Sequence, residues 1–374
     1  MKNLILVLNA GSSSLKFKLF TAKLSEIGEG IVEKINIRGS FVNFEIKKQT
    51  GQLYVNVKNH EEALDQILDV LKTCGVKFDN IVKIGHRVVH GGEKFVKPTL
   101  ITKKNLTELR KFNKLAPLHN PNNVAGIVAC MNKLPKAKNY IVCDTAYFAS
   151  LPEHVYHYAL PQRIYKKYDV RKFGFHGISH QYVAGVAAKK LKKSKLNLIT
   201  CHLGSGCSVS AIKGGKAIDT SMGMTPLEGL MMSTRTGDID AGVVFYLNQQ
   251  GLSLSRINKL FNQESGLKGV SGLKDMRDIM IAGGYKIPGY RSPQKFTKEQ
   301  KQLACLALEM FVYRIQKYIG AYTAALGKVD AIVFTAGIGE RNKDVRRLVM
   351  KGLPFKTKAL VIPTSEELQI AKSI

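Results

Sequence analysis

The sequence predicts an α/β protein of two domains built on one repeated plan, and three stretches carry that expectation. Residues 4–8 (LILVL) form an apolar run and residues 15–20 (LKFKLF) alternate, so they read as a buried strand followed by a half-buried one. Between them, Asn9, Gly11, Ser12, Ser13 and Ser14 make a turn of small residues whose backbone N–H groups and hydroxyls suit a phosphate. Residues 197–212 repeat strand, small-residue turn (Gly204-Ser205-Gly206) and strand. Residues 331–335 open into Ala336-Gly337-Ile338-Gly339-Glu340, a strand leading through glycines into a helix. One such turn is an ordinary hairpin. Two, nearly 200 residues apart, imply a duplicated domain facing its copy across a cleft that fits a nucleotide's phosphates.

The chain's 374 residues allow two cores, and 45% hydrophobic with 23% charged residues is ordinary for a globular protein. The charge is not ordinary: 57 Lys+Arg against 28 Asp+Glu gives +29. Such a surface attracts anionic ligands and binds polyanions without specificity, but it does not determine a fold. The six cysteines include no C-x-x-C pair and sit mostly in apolar runs, so reduced, buried thiols are expected. A Cys201–Cys207 bridge would span the second small-residue turn and is set aside. The first apolar run is too short for a signal peptide, and no stretch reaches the roughly 18 apolar residues of a membrane span. A soluble, cytoplasmic protein without a membrane partner is the expectation.

In order, residues 21–58 carry short alternating segments expected to extend the first sheet with antiparallel strands. Asn59 and Glu62 form a capping box before a helix with Ala63, Leu64, Ile67, Leu68 and Leu71 on one face. Residues 81–88 form a strand in which Arg87 sits between apolar neighbours. A lone guanidinium there is costly, so it needs an anionic partner, either a protein carboxylate or a substrate anion. After a helix over Leu106, Leu109 and Phe112, Asn120 can cap and Pro121 can open the next helix, with His119 at its entry. A buried strand over residues 140–143 ends at Asp144, where a carboxylate orients a metal or nucleophile or caps a helix.

Residues 150–170 read as a connector, which puts the domain boundary near residue 150: 1–149 with 365–374 returning to it, and 150–364. Residues 174–180 (GFHGISH) open a helix ending in the solvated run at 189–195. Thr225, Pro226 and Glu228 supply cap, first-turn proline and capping-box glutamate for a short helix. Arg235 follows in a small-residue turn and is a second candidate anion clamp. Asp275-Met276-Arg277 comes after a Gly/Ser turn. Thr297 caps a long helix, apolar on most faces, that reads as central and buried. A strand over 359–362 precedes a last helix capped by Thr364 and Glu367, which leaves Glu366 free.

With these residues in view, the chain resembles the acetokinase (acetate/propionate/butyrate kinase) family of the actin–sugar kinase–Hsp70 superfamily. The likeness rests, in order, on LNAGSSSLKF, GHRVVHGGE, LAPLHNP, DTAY, FGFHGISH, CHLGSGCSV, TPLEGLMMSTRTGDID, SGLKDMRD, FTAGIGE and VIPTSEEL, and spans nearly the whole sequence. It implies two duplicated actin-like (ribonuclease H-like) domains, each a mixed sheet flanked by helices, with a cleft between them. It implies reversible in-line transfer of the ATP γ-phosphoryl group to acetate, giving acetyl phosphate and ADP, with Mg²⁺ or Mn²⁺, in a homodimer with no specific nucleic-acid partner.

By the same resemblance, Asn9 and Glu366 match metal-associated positions, and Ser12, Ser14 and Lys16 match a phosphate-side turn. Arg87, His119, Asp144, His176 and Arg235 match catalytic positions. Arg87, Val89, Leu118, Phe175 and Pro226 match the acetate pocket. The nucleotide segments match His202, Leu203, Gly204, Ser205 and Gly206; Asp275, Met276 and Arg277; and Gly337, Ile338, Gly339, Glu340 and Arg341. Three features depart from the family pattern: Ser205 and Arg341 stand where asparagine is usual, and the 347–361 connection is short.

A loose phosphoryl-transfer transition state needs positioning and positive charge around its oxygens, and the acceptor carboxylate needs no strong base. Asp144 is therefore expected to position metal or substrate without abstracting a proton. Val89 favours a short acyl chain, since each methylene must find room at about 1–3 kcal/mol. A propionate or butyrate kinase is the rival within the fold, separated by kcat/KM across acyl lengths. A non-enzymatic polyanion binder is the rival from another class, to be seen as salt-dependent DNA binding without ATP turnover.

Overall fold

The computed structural model describes residues 2–11, 13–117 and 119–374, so Ser12 and Leu118 lie outside the described residues. It divides into two compact units. The first holds the chain up to Ala149, Gly177–Ser179 and Ser365–Ile374; the second holds Ser150–His176 and His180–Thr364.

The first unit is built on a sheet of β1 (Leu4–Ala10), β2 (Ser14–Thr21), β3 (Glu26–Glu33), β4 (Ser40–Ile46), β5 (Gln49–Val55), β6 (Ile81–Val88), β7 (Thr99–Leu100) and β8 (Lys138–Cys143). Their order is β5-β4-β3-β2-β1-β6-β8-β7. The pairs β1–β6 and β6–β8 are parallel and the rest antiparallel. Helices α1 (His60–Thr73), α2 (Lys103–Arg110) and α3 (Asn120–Lys133) belong to this unit, as does the last helix, Glu366–Ser373.

The unbroken apolar run of β1 follows from cover on both faces. Leu4, Leu6 and Leu8 join a core with Leu64, Ile67 and Leu71 of α1, while Ile5 and Val7 pack with Ile178, Ile370 and Ala371. In β2 only Leu15, Phe17 and Leu19 reach the first core, which explains its alternation. Gly85 of β6 is the point where the last helix crosses closely: a Cβ there would lie 2.5 Å from Ile370.

Two caps differ from expectation. Asn59 accepts from the Glu62 N–H as expected, but the Glu62 carboxylate takes the Lys58 N–H in place of that of Asn59. Asn120 does not cap α3. His119 occupies that position, and the Asn120 side chain bonds the backbone N–H and C=O of His90.

His86 is buried on β6 against Asn139, 2.8 Å away, and burial lowers its pKa to about 4 from 6.5. The unfolded chain therefore takes up this proton first. Stability is complete above pH 6.5 and is lost as pH falls from there to about 4, by about 3 kcal/mol from this residue. Urea midpoints between pH 7.5 and 4.5 should fall less in His86→Gln than in the parent; equal slopes would contradict this.

The second unit repeats the plan. After α4 (Glu153–Tyr156), α5 (Gln162–Tyr168) and α6 (Gly177–Lys190, whose first three residues count with the first unit) come β9 (Asn197–Leu203), β10 (Cys207–Lys213) and β11 (Lys216–Thr220). Next are α7 (Gly242–Gln249), α8 (Leu254–Lys259), α9 (Gly266–Ser271), α10 (Met276–Ala282) and α11 (Lys298–Leu326). The unit closes with β12 (Ala331–Thr335), α12 (Ala336–Arg341), α13 (Lys343–Lys351) and β13 (Lys358–Val361), and α14 (Glu366–Ser373) returns to the first unit.

The second sheet runs β11-β10-β9-β12-β13, with β9–β12 and β12–β13 parallel and the others antiparallel. That matches β3-β2-β1-β6-β8 of the first sheet strand for strand. The duplication expected from the two turns is thus present in the topology.

Other expectations change here. The connector at 150–170 contains α4 and α5. No helix follows Thr225; Glu228 turns instead to Tyr158 and to Lys172, whose Nζ lies 2.6 Å away. Helix α11 has the expected Thr297 cap, with Gln300 completing a capping box, but it is not buried all round. Ile315 and Ile319 are buried, while Leu306 and Tyr313 face solvent. Helix α14 is preceded by Ser365 without a side-chain cap, and Glu367 pairs with Lys16 at 3.3 Å. All six cysteines are free, and Cys305 is the exposed exception to the expected burial.

Candidate active site

In the first unit the site follows from register. Neighbouring parallel strands put Asn9 opposite Arg87, and the end of β6 beside the end of β8, after which Asp144 follows. Arg87 is held on three sides. Its Nε and Nη2 donate to the two Asp144 carboxylate oxygens at 3.1 and 2.6 Å, and its Nη1 reaches Asn9 Oδ1 at 3.2 Å and Glu366 Oε2 at 3.1 Å. Asn9 Nδ2 also donates to Glu366 Oε2, at 3.3 Å.

The partner of Arg87 is therefore a pair of protein carboxylates, one of the two possibilities open in the sequence. Glu366, which the sequence leaves free, is instead part of this cluster. Burial opposes the Arg87 charge, yet Asp144 and Glu366 outweigh it and raise its pKa. For Glu366 the balance goes the other way. Burial, with Asp144 and Glu367 close by, outweighs Arg87 and pushes its carboxyl up to about 7.

The loop after β6 is fastened from α3. Asn123 accepts from the Val89 N–H and donates to the Ala10 carbonyl at 2.9 Å, while Asn120 holds His90. Gly91 N–H donates to Thr145 Oγ1. Nothing in the sequence marked Asn123 or Thr145 for this work. Val89 is half-buried, His119 stands at the α3 N-terminus, and Ser14 opens β2, all in the first unit.

In the second unit the turn Gly204–Gly206 joins β9 to β10, closed by Gly204 N–H donating to Gly206 C=O at 3.1 Å. His176 lies above it in the left-handed conformation (φ 57°) and stacks on His202, with ring centroids 4.1 Å apart. Its Nδ1 is 2.9 Å from Ser208 Oγ. Gly206 is bare on the side where His176 and Arg235 meet: a Cβ would lie 3.4 Å from the one and 3.6 Å from the other.

Arg235 donates to the Pro226 carbonyl at 3.1 Å and touches Met232 Sδ. Among the described residues no carboxylate pairs with it, and burial lowers its pKa. A half-buried guanidinium with only neutral partners keeps its attraction for an anion. Phe175 is buried beside His176 in sequence, and Pro226 serves Arg235 through its carbonyl.

Arg235 also lines a cavity of about 910 Å³ within this unit. Of the residues expected at a nucleotide, Gly204, Ser205, Gly206, Asp275, Met276, Arg277, Gly337, Ile338 and Arg341 line it. His202, Leu203, Gly339 and Glu340 do not. Leu203 is wholly buried in β9, and Glu340 is spent on the Ala336 and Thr364 N–H groups at 2.8 and 3.1 Å. The segment from Lys286 to Tyr290 also lines the cavity. Only Pro288 and Gly289 hinted at it in the sequence. Ser14 and Lys16 belong to the first unit, where Lys16 is paired with Glu367.

For a divalent cation the suitable donors are the oxygens of Asn9, Asp144 and Glu366. Among the described residues no three His, Cys, Asp or Glu side chains form a cage. Mg²⁺ keeps several waters and takes one or two carboxylates plus substrate phosphates, so those donors would be enough to hold it. Burial first, and then Asp144 and Glu367, raise the Glu366 pKa, and a bound cation would favour its charged form.

The chain is similar to known proteins over nearly its whole length. Residues 4–357 match the model of the acetokinase family. An acetate kinase from Halothermothrix orenii is 42% identical, with 98% of each chain covered. Among solved structures, an acetate kinase from Porphyromonas gingivalis is 40% identical, with a TM-score of 0.86, covering 99% of this chain and 98% of the other. A propionate kinase from Francisella tularensis is 36% identical, with a TM-score of 0.90 and the same coverage. No helix among the described residues is long and apolar enough to cross a membrane.

Proposed function

Because the chain belongs to the acetokinase family and is a phosphotransferase of the kinase type, we propose that its reaction is the reversible transfer of the ATP γ-phosphoryl group to acetate, giving acetyl phosphate and ADP. The observation that carries this is Arg235, an anion clamp without a protein anion, at the wall of a cavity of nucleotide size.

Roles follow from the chemistry each side chain has left. The Gly204–Gly206 turn, Asp275 to Arg277, Gly337, Ile338 and Arg341 hold the nucleotide. Arg235 and His176 meet the oxygens of the transferring group with positive charge and an N–H, as a metaphosphate-like transition state requires. Arg87 is already neutralised by Asp144 and Glu366, so its remaining attraction for acetate is that of an oriented donor more than of a bare charge. Asp144 fixes that guanidinium and takes no proton, since a carboxylate acceptor needs no base. Asn9 and Glu366 would hold Mg²⁺, or Mn²⁺ in its place, which when bound neutralises phosphate charge. Val89, Phe175 and Pro226 are the apolar residues proposed to bind the acetate methyl.

Hydroxylamine added to enzyme, ATP, Mg²⁺ and acetate should trap acetyl hydroxamate in step with ADP release. ADP release without hydroxamate would refute the assignment. The Francisella neighbour favours a second acceptor, propionate, and kcat/KM across acetate, propionate and butyrate decides between them.

A homodimer is the assembly we propose. No residue of α7 is buried although its sequence is largely apolar, and Phe245 and Tyr246 are 68% and 61% exposed, with Ile239 and Leu254 nearby in sequence. Covering such a face by a second copy is the usual reason for it. Light scattering should give twice the chain mass, and the double variant Phe245→Glu/Tyr246→Glu should give one; a monomeric parent would contradict this. Cytoplasmic location fits a chain with these free cysteines.

A further inference from the structure

A buried polar chain runs behind His176. Ser208 Oγ lies 2.9 Å from His176 Nδ1 and 2.7 Å from His180 Nε2, and His180 Nδ1 lies 2.7 Å from Thr200 Oγ1. Ser208, His180 and Thr200 are completely buried, and burial holds His180 neutral. Three contacts thus link four side chains, and each contact takes one proton. A hydroxyl has a single proton and a neutral imidazole has one N–H. Three arrangements fill every link, but the one in which both imidazoles donate to Ser208 leaves its buried hydroxyl proton without an acceptor among the described residues, so two remain.

In the first, Thr200 donates to His180 Nδ1, His180 Nε2–H donates to Ser208, and Ser208 donates to His176 Nδ1. The proton of His176 then resides on Nε2. In the second, every bond is reversed: His176 carries its proton on Nδ1, and the Thr200 proton needs another acceptor. The one at hand is the Ser210 carbonyl at 3.5 Å, beyond the usual O–H···O range of about 2.5–3.0 Å. A buried hydroxyl loses heavily by such a bond, so the first arrangement prevails.

The groups facing His176 act in the same direction. His202 of β9 stacks on it, His180 of α6 and Ser208 of β10 lie behind it, and Arg235 Nη1 and His176 Cε1 both lie within 3.6 Å of where a Gly206 Cβ would stand. A guanidinium on that side opposes a second cation on the ring.

We infer that Ser208, His180 and Thr200 are positioning residues that lock His176 as the neutral Nε2–H tautomer, so that it serves the transferring phosphoryl group as a fixed N–H donor. It is then neither an imidazolium nor a base. This rests on the role given to His176 above.

The test is histidine-selective ¹⁵N labelling of the full chain, with two-bond ¹H–¹⁵N spectra from pH 6 to 8.5 and His176→Asn for assignment. The expected spectrum has Nε2 protonated and Nδ1 bare throughout. An Nδ1–H tautomer, or an imidazolium midpoint inside that range, overturns the inference. In Ser208→Ala the lock is gone: His176 should titrate within the range and kcat should fall at least about tenfold, with KM for ATP nearly unchanged, and Ser208→Thr should restore both. A Ser208→Ala protein whose His176 keeps the parent's tautomer and titration also overturns it. Should that variant fail to fold, the parent spectrum decides alone. Failure to form acetyl hydroxamate would refute the function and leave the tautomer readout standing.

Discussion

Arg235→Ala should lower kcat by about 10³-fold, the scale on which a transition-state arginine acts. Thermal stability should not fall, because the residue has no carboxylate partner to orphan and its half-buried charge is a burden in the free protein. Affinity for ADP, measured by calorimetry, should stay within a few-fold of the parent, since many other residues line the cavity. Turnover close to that of the parent would end the clamp assignment. A large loss of stability would show that the cation has a structural partner.

Arg87→Ala should behave differently, and the contrast is the stronger test. Its guanidinium is the counter-charge for Asp144 and Glu366, which are otherwise buried like charges. Removing one partner of such a cluster typically costs about 3–5 kcal/mol. The variant should lose most activity, at least about 10²-fold, and also melt earlier by calorimetry. From sequence alone the fold would be expected to survive untouched, because Arg87 could equally have been waiting for a substrate anion. An inactive Arg87→Ala protein of parental stability would mean that Asp144 and Glu366 do not depend on the pair.

What the sequence made legible is what local pattern dictates. The apolar run at 4–8 reads as a buried strand, and the alternation at 15–20 as a strand covered on one face. The two small-residue turns marked the duplication, and Thr297 marked the start of α11. Pattern failed where a side chain has two uses and the distant one prevailed. Asn120, Glu228 and Glu367 each fit a cap, yet each bonds a group far away in sequence: His90, Lys172 and Lys16. The polar chain from Thr200 to His176 was invisible for the same reason. Thr200 and Ser208 look like ordinary strand residues until β9 and β10 pair and bring His180 between them.

Transfer in one step between two bound substrates has a stereochemical signature. ATP made chiral at the γ-phosphorus with oxygen isotopes, turned over once with acetate, should give acetyl phosphate with inverted configuration at phosphorus. Retention would require two displacements and a phosphorylated protein residue between them, and the direct passage proposed here would be wrong.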